Sequence, residues 1–122
     1  MREEEGPEDL GVRTKRFALQ IIGLFGRLPA RDEARVLGRQ LLRSGTSVGA
    51  QYREARRARS DAEFVSKMSS SQQELEETAY WLELLIEGNI APDSVVRPLH
   101  NEADELLAIY STIIRKTKAR LR

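Results

Sequence analysis

The side chains able to do chemistry in this chain are, first of all, its cations. Arg53, Arg56, Arg57 and Arg59 fall within seven residues, and Arg115, Lys116, Lys118, Arg120 and Arg122 close the sequence. Guanidinium and ammonium groups at that density suit phosphate oxygens, which accept several charge-assisted hydrogen bonds. They also suit helix C-termini, where the backbone dipole favours each cation by roughly 0.3 to 1 kcal/mol. Catalytic groups are scarce by comparison. His100 is the only histidine, and the residue three before it is Arg97, so the Glu-x-x-His repeat of a di-iron bundle is missing. Its place four residues before Asp104 on a helical pattern reads as surface. No cysteine is present, which removes thiolate nucleophiles, thiolate metal sites and disulfides. Gly45-Thr46-Ser47-Val48-Gly49 lies inside a helical pattern with no Lys after it, so it is no phosphate loop. No Gly-x-Ser-x-Gly elbow or strand scaffold supports Ser-His-Asp catalysis. An enzyme would have to rely on Glu54, Glu77 and His100; the expectation is no catalytic residue, no cofactor and no metal.

The elements that must position the cations carry an uneven charge. The chain has 122 residues, 40% hydrophobic and 32% charged, with a net charge of +1. Residues 1–10 hold one Arg against five acids, and residues 11–59 twelve bases against three acids. Residues 60–108 hold two bases against eleven acids, and the last fourteen residues five bases and no acid. Such a division fits solvated helix faces of opposite sign, or a molecule whose basic flank meets a neighbour's acidic flank or a polyanion. No apolar run is long enough to span a membrane. MREEEGPEDL lacks the basic start and apolar stretch of a secretory signal, so a cytoplasmic location is expected.

Four segments carry helical periodicity and none alternates like a strand. The first runs from about Glu8 to Arg27, with Phe17, Ile21, Leu24, Phe25 and Leu28 on one stripe. Pro29 breaks it, and Asp32 and Glu33 open the second, whose seam is Leu37, Leu41, Ser44, Val48, Gln51 and Ala55. Ser60-Asp61-Ala62-Glu63 is a capping box at the start of the third, with Phe64, Met68, Ser71, Leu75, Thr78, Leu82 and Leu85 as its seam. Gly88-Asn89 stops it and Pro92-Asp93-Ser94 begins the fourth, along Leu99, Ala103, Leu106, Tyr110, Ile113 and Thr117. The expected fold is all-α: an antiparallel up-down-up-down four-helix bundle over residues 11–122, behind an acidic tail of residues 1–10. In that topology the second and fourth helices run parallel, so both basic clusters fall at one end, with more cations than capping needs.

Small polar residues thread the middle of the bundle. Ser44, Ser47, Gln51, Ser71 and Thr78 are expected to be buried there, with Val48 level with Ser71 across an antiparallel turn. Hydroxyls can bond the carbonyl of the preceding turn, whereas a buried Gln51 amide without a partner costs about 1 to 3 kcal/mol. Tyr80 and Trp81 flank a seam, and with Tyr52 they are the aromatics expected at a subunit interface.

RSGTSVGAQYREARRARSDAEF together with KMSSSQQELEETAYWLELL resembles the bacterial family of four-helix-bundle proteins encoded within intervening sequences of 23S rRNA genes. The specific matches are Arg43-Ser44, Ser47-Val48, Tyr52-Arg53-Glu54-Ala55, Ala58-Arg59-Ser60, Glu77-Thr78 and Tyr80-Trp81-Leu82, with Leu28-Pro29 and Glu33. The resemblance covers about residues 12–118. It implies a bundle assembling into a ring-shaped homo-oligomer, a pentamer, and no established activity for most members. A relative similar in fold, the accessory protein of diversity-generating retroelements, implies partners such as a reverse transcriptase and nucleic acid. Two features depart from the family pattern: Gln51 stands where Asn is common, and Ser70-Ser71-Gln72-Gln73 replaces a more apolar stretch. The resulting expectation is a non-enzymatic accessory or scaffold protein that binds RNA or DNA through Arg53, Arg56, Arg57, Arg59, Arg115, Lys116, Lys118 and Arg120. The alternative is a protein-binding adaptor whose arginines serve assembly.

Overall fold

The structure, a computed structural model, describes residues 7–121, with side chains from Leu10 onward. The remainder of the acidic tail and Arg122 lie outside the described residues. Four helices follow in order: α1 (Pro7–Gly26), α2 (Asp32–Arg56), α3 (Asp61–Glu87) and α4 (Asp93–Ala119). Connections this short force consecutive helices antiparallel. Each helix packs on the next and α4 returns to α1, more loosely, which closes an up-down-up-down bundle. α2 and α4 share no side of it and face each other across the diagonal. The expected all-α four-helix bundle is the observed fold.

Local sequence explains the helix ends. Ser60 Oγ accepts from the Glu63 backbone N–H at 3.0 Å, while the Glu63 carboxylate accepts from the Arg59 N–H at 3.0 Å. The capping box therefore closes one residue earlier than its usual reciprocal bond to the cap itself. α3 ends in a Schellman motif: Ile90 N–H bonds Leu85 O at 2.9 Å and Asn89 N–H bonds Ile86 O at 3.1 Å. The left-handed residue there is Asn89, at φ 56°, and Gly88 keeps φ −84°.

The core is formed by Phe17, Ile21, Leu41, Val48, Met68, Leu75, Leu82, Leu85, Leu106 and their neighbours. Two seams drift by one residue from the expected ones. On α2, Tyr52 replaces Gln51 at the centre, and on α4 Ile114 replaces Ile113. A straight helix turns 3.6 residues per turn, so a strict four-three pattern rotates off the core by the third heptad. Tyr52 is 2% exposed, its ring 6.5 Å from that of Tyr110. It fills the protomer's own core, which corrects its expected place at a subunit interface.

The small residues of α2 divide into two sets with different jobs. The glycines face α1: a Cβ on Gly45 would stand 2.9 Å from Ile21 Cγ1 and Cγ2, and one on Gly49 would stand 3.2 Å from Thr14 Oγ1. α1 thus lies directly on the α2 backbone, and a side chain at Gly45 would displace Ile21, whereas one at Gly49 needs only a small shift of Thr14. The hydroxyls face α3 instead. Ser71 donates to Val48 O at 2.7 Å, the register expected from an antiparallel turn near Ser60. Thr78 Oγ1 lies 2.7 Å from Ser44 Oγ and 2.8 Å from Glu74 O. Ser44, Ser71 and Thr78 are fully buried. Ser47 is not: it sits half-exposed and bonds Arg43 O at 2.7 Å, because it is turned off the seam occupied by Val48. Gln51 is half-buried, yet its Oε1 is shielded from solvent and has no hydrogen-bond donor among the described residues.

Candidate nucleic-acid interface

Among the described residues, most of the acidic groups are engaged in ion pairs within the protomer. Arg43 of α2 bridges Glu74 (3.2 Å) and Glu77 of α3, and Glu77 also accepts from Trp81 Nε1 at 3.1 Å. Arg13 of α1 reaches Glu102 (2.7 Å) and Glu105 (2.9 Å) of α4. These carboxylates hold the Arg43 and Arg13 guanidiniums more firmly protonated than usual, through their hydrogen bonds first. Arg97 pairs with Asp93 at 2.7 Å and Arg35 with Asp32 at 2.6 Å. The basic and acidic halves of the sequence thus meet inside one protomer.

Among the described residues, the cations left without such a pair include those at the C-termini of α2 and α4. Arg53 and Arg56 project from the last turn of α2, Arg57 follows as its C-cap, and all three are exposed. Glu54, the acid in their midst, is turned to α3, where it holds Lys67 Nζ at 3.0 Å. Among the described residues no carboxylate pairs with these three arginines, nor with Arg59, whose side chain is exposed in the α2–α3 turn. On α4, Arg115, Lys116 and Lys118 are likewise exposed and without an ionic partner among the described residues. Arg120 differs, since it grips Asp61 at the start of α3 with contacts of 3.1 and 3.3 Å. That hydrogen bond keeps the Asp61 carboxyl below the ordinary aspartate range.

The two clusters do share an end of the bundle, but not a surface. They sit at the C-termini of α2 and α4, which are diagonal partners. With neighbouring axes about 8 to 10 Å apart, diagonal axes stand about 11 to 14 Å apart, with α1 and α3 between them. Sequence reasoning missed a further cation, Lys15 of α1. It is exposed and shares surface hollows with Arg53 and Arg56. The signal was available in principle, because antiparallel packing of Thr14 on Gly49 sets Lys15 beside the last turns of α2.

The remaining candidates fall elsewhere. Tyr80 is 53% exposed on α3, with its ring 5.3 Å from that of half-buried Trp81. His100 is tucked in, not surface-displayed: its side chain is 12% exposed, with Nε2 2.8 Å from Glu83 and Nδ1 3.5 Å from Asp104. α4 packs against α3, so a residue on its near side meets α3 carboxylates that its own helix does not reveal. Among the described residues no group of three His, Cys, Asp or Glu side chains is placed to hold a metal ion. No described helix is long and apolar enough to cross a membrane.

Comparison with known proteins agrees with this architecture. The model of the 23S rRNA-intervening sequence protein family matches residues 9–112. A solved structure from Bacteroides thetaiotaomicron, a protein of unknown function from the S23 ribosomal protein family, superposes with a TM-score of 0.83. The two chains are 34% identical, and the match covers 89% of this chain and 97% of that one. No functionally curated protein matches the chain. With 104 of its residues spanned by the family model and a close structural counterpart in the same fold, the chain belongs to the 23S rRNA-intervening sequence protein family.

Proposed function

We propose that this protein is a non-enzymatic, cytoplasmic accessory or scaffold module that assembles into a ring-shaped homo-oligomer and binds RNA or DNA through its arginine-rich end. The observation that carries the reading is the cluster Arg53, Arg56 and Arg57, which has no carboxylate partner among the described residues although most of the described acids are paired. Arginines held apart from carboxylates keep their forked donors for phosphate oxygens. Self-assembly would use Tyr80 and Trp81 on α3, since a half-exposed aromatic pair is the type of residue that anchors interfaces. With no exposed aromatic beside the arginines to stack on bases, binding would be indifferent to sequence.

A second reading, a protein-binding adaptor, draws on a different feature. Val12, Leu19 and Ile22 of α1 are 56%, 58% and 47% exposed, on the side of that helix turned away from the core. Fluorescence anisotropy with a labelled RNA and DNA oligonucleotide, on wild type and on the double substitution Arg56→Glu plus Arg57→Glu, separates the readings. Nucleic-acid binding predicts lost affinity with unchanged oligomer mass. Break-up of the oligomer without any wild-type affinity for nucleic acid would assign the arginines to assembly and favour the adaptor.

A further inference from the structure

The nucleic-acid reading leaves open where a strand would lie, and the surface between α1 and α2 distinguishes one path from the rest. Three hollows adjoin there and share residues. The first, of about 190 Å³, has a floor of small residues from both helices, including Gly11, Ala18, Gly49 and Ala50, with Lys15 on one wall and Arg53 on the other. The second, of about 440 Å³, continues from Lys15 and Arg53 to Arg56. The third, of about 360 Å³, lies among Arg53, Arg56 and Arg57. Together they form a furrow running from the middle of the α1–α2 seam to the end of the bundle.

We infer that this furrow is the track of a single nucleic-acid strand, whose phosphates lie on Lys15, Arg53, Arg56 and Arg57. The inference rests on the nucleic-acid reading above. Its own support is geometric. Cations from two helices face one another across a floor that lacks side chains large enough to fill it. Arg53 and Arg57 are one helical turn apart, about 6 Å along the axis, so successive donors follow one another along a strand. A flexible single strand can follow such a path. A duplex is stiff, winds each backbone about its axis and holds the second one across a groove about 12 Å wide, so it cannot lay successive phosphates along a straight furrow between helix axes about 8 to 10 Å apart. The hollow on α4, beside Arg115 and Lys118, has cations on one helix only and lies at the diagonal corner. It is therefore off the track.

Charge reversal tests the assignment. At one fixed ionic strength, Lys15→Glu and Arg53→Glu are each compared with the pair Arg115→Glu plus Lys118→Glu on a single-stranded oligonucleotide and on its duplex. Lys15→Gln, which removes the charge without reversing it, guards against a folding artefact, and helicity and mass are recorded for every variant. The furrow substitutions are expected to weaken single-strand binding about tenfold each, Lys15→Gln less, and the α4 pair by no more than about twofold. Equal losses from the furrow and the α4 variants, with wild-type binding intact, would overturn the track while leaving the nucleic-acid reading in place. Duplex binding as tight as single-strand binding would overturn it too. Absence of any wild-type binding would remove the nucleic-acid reading itself.

Discussion

The hydrogen-bonded pair of Ser71 and Tyr110 makes a sharp prediction, because the direction of each bond follows from the inventory of protons. Ser71 has one hydroxyl hydrogen, and its Oγ lies 2.7 Å from Val48 O, an atom that can only accept. The 2.7 Å contact between Ser71 Oγ and Tyr110 Oη must then be donated by the phenol. Both side chains are fully buried. Ser71→Ala strands the phenol hydrogen in the core, which costs about 1 to 3 kcal/mol. Tyr110→Phe removes the same bond but leaves Ser71 donating to Val48, so its cost is the net worth of one hydrogen bond, about 0.5 to 1.5 kcal/mol. With both changed, no donor is left stranded, and the pair should cost no more than Ser71→Ala alone. Urea denaturation followed by Trp81 fluorescence and far-ultraviolet circular dichroism, at two protein concentrations to separate folding from assembly, supplies the four stabilities of the cycle. Additive costs, or a larger loss from Tyr110→Phe than from Ser71→Ala, would refute the assigned directions.

Three further outcomes follow from the same core. Burial pushes the Tyr110 phenol well above the ordinary tyrosine value of about 10. Its contribution is complete below pH 10 and is lost as pH rises from there toward the folded value, by up to about 1.4 kcal/mol per unit; the alkaline arm of a stability profile should be shallower in Tyr110→Phe. Gly45→Ala places a methyl 2.9 Å from two Ile21 carbons in a packed seam, so it should destabilise by about 1 to 3 kcal/mol in denaturant titration. Combining it with Ile21→Ala should cost less than the sum of the two. Gln51→Met removes an amide oxygen that is shielded and lacks a donor among the described residues, and should raise the urea midpoint by the equivalent of about 1 kcal/mol; a lower midpoint would mean that the amide finds a partner in solution.

Hydrophobic spacing and punctuation made most of the fold legible. The Ser60 capping box and Gly88-Asn89 sit within a residue or two of the helix ends, Pro29 lies midway between α1 and α2, and Val48 meets Ser71 as an antiparallel turn requires. The sequence was less informative wherever the answer depended on rotation about a helix axis. Tyr52 and Gln51 are neighbours, and only the accumulated twist of α2 decides that the ring points in and the amide lies at the edge. The glycines of α2 were legible as a close approach, but periodicity alone does not say that they meet α1 while the hydroxyls meet α3. For the candidate site, placing both basic clusters at one end followed from topology. Their separation across the diagonal did not, because it depends on which helices share a side. Lys15 was invisible for a similar reason: it is one exposed cation on α1 until the register of α1 on α2 brings it opposite Arg53.

The salt dependence of binding tests most directly whether the arginine-rich end binds nucleic acid. Labelled single-stranded RNA and DNA should be titrated with the purified protein over a range of salt concentrations, with the oligomer mass measured in every buffer. Four contacted phosphates predict that the logarithm of the association constant falls against the logarithm of salt with a slope near −3, about 0.7 for each contact, while the mass stays constant. A flat dependence, or no binding at low salt by a protein whose assembly is intact, would contradict the claim and return those arginines to the protein's own contacts.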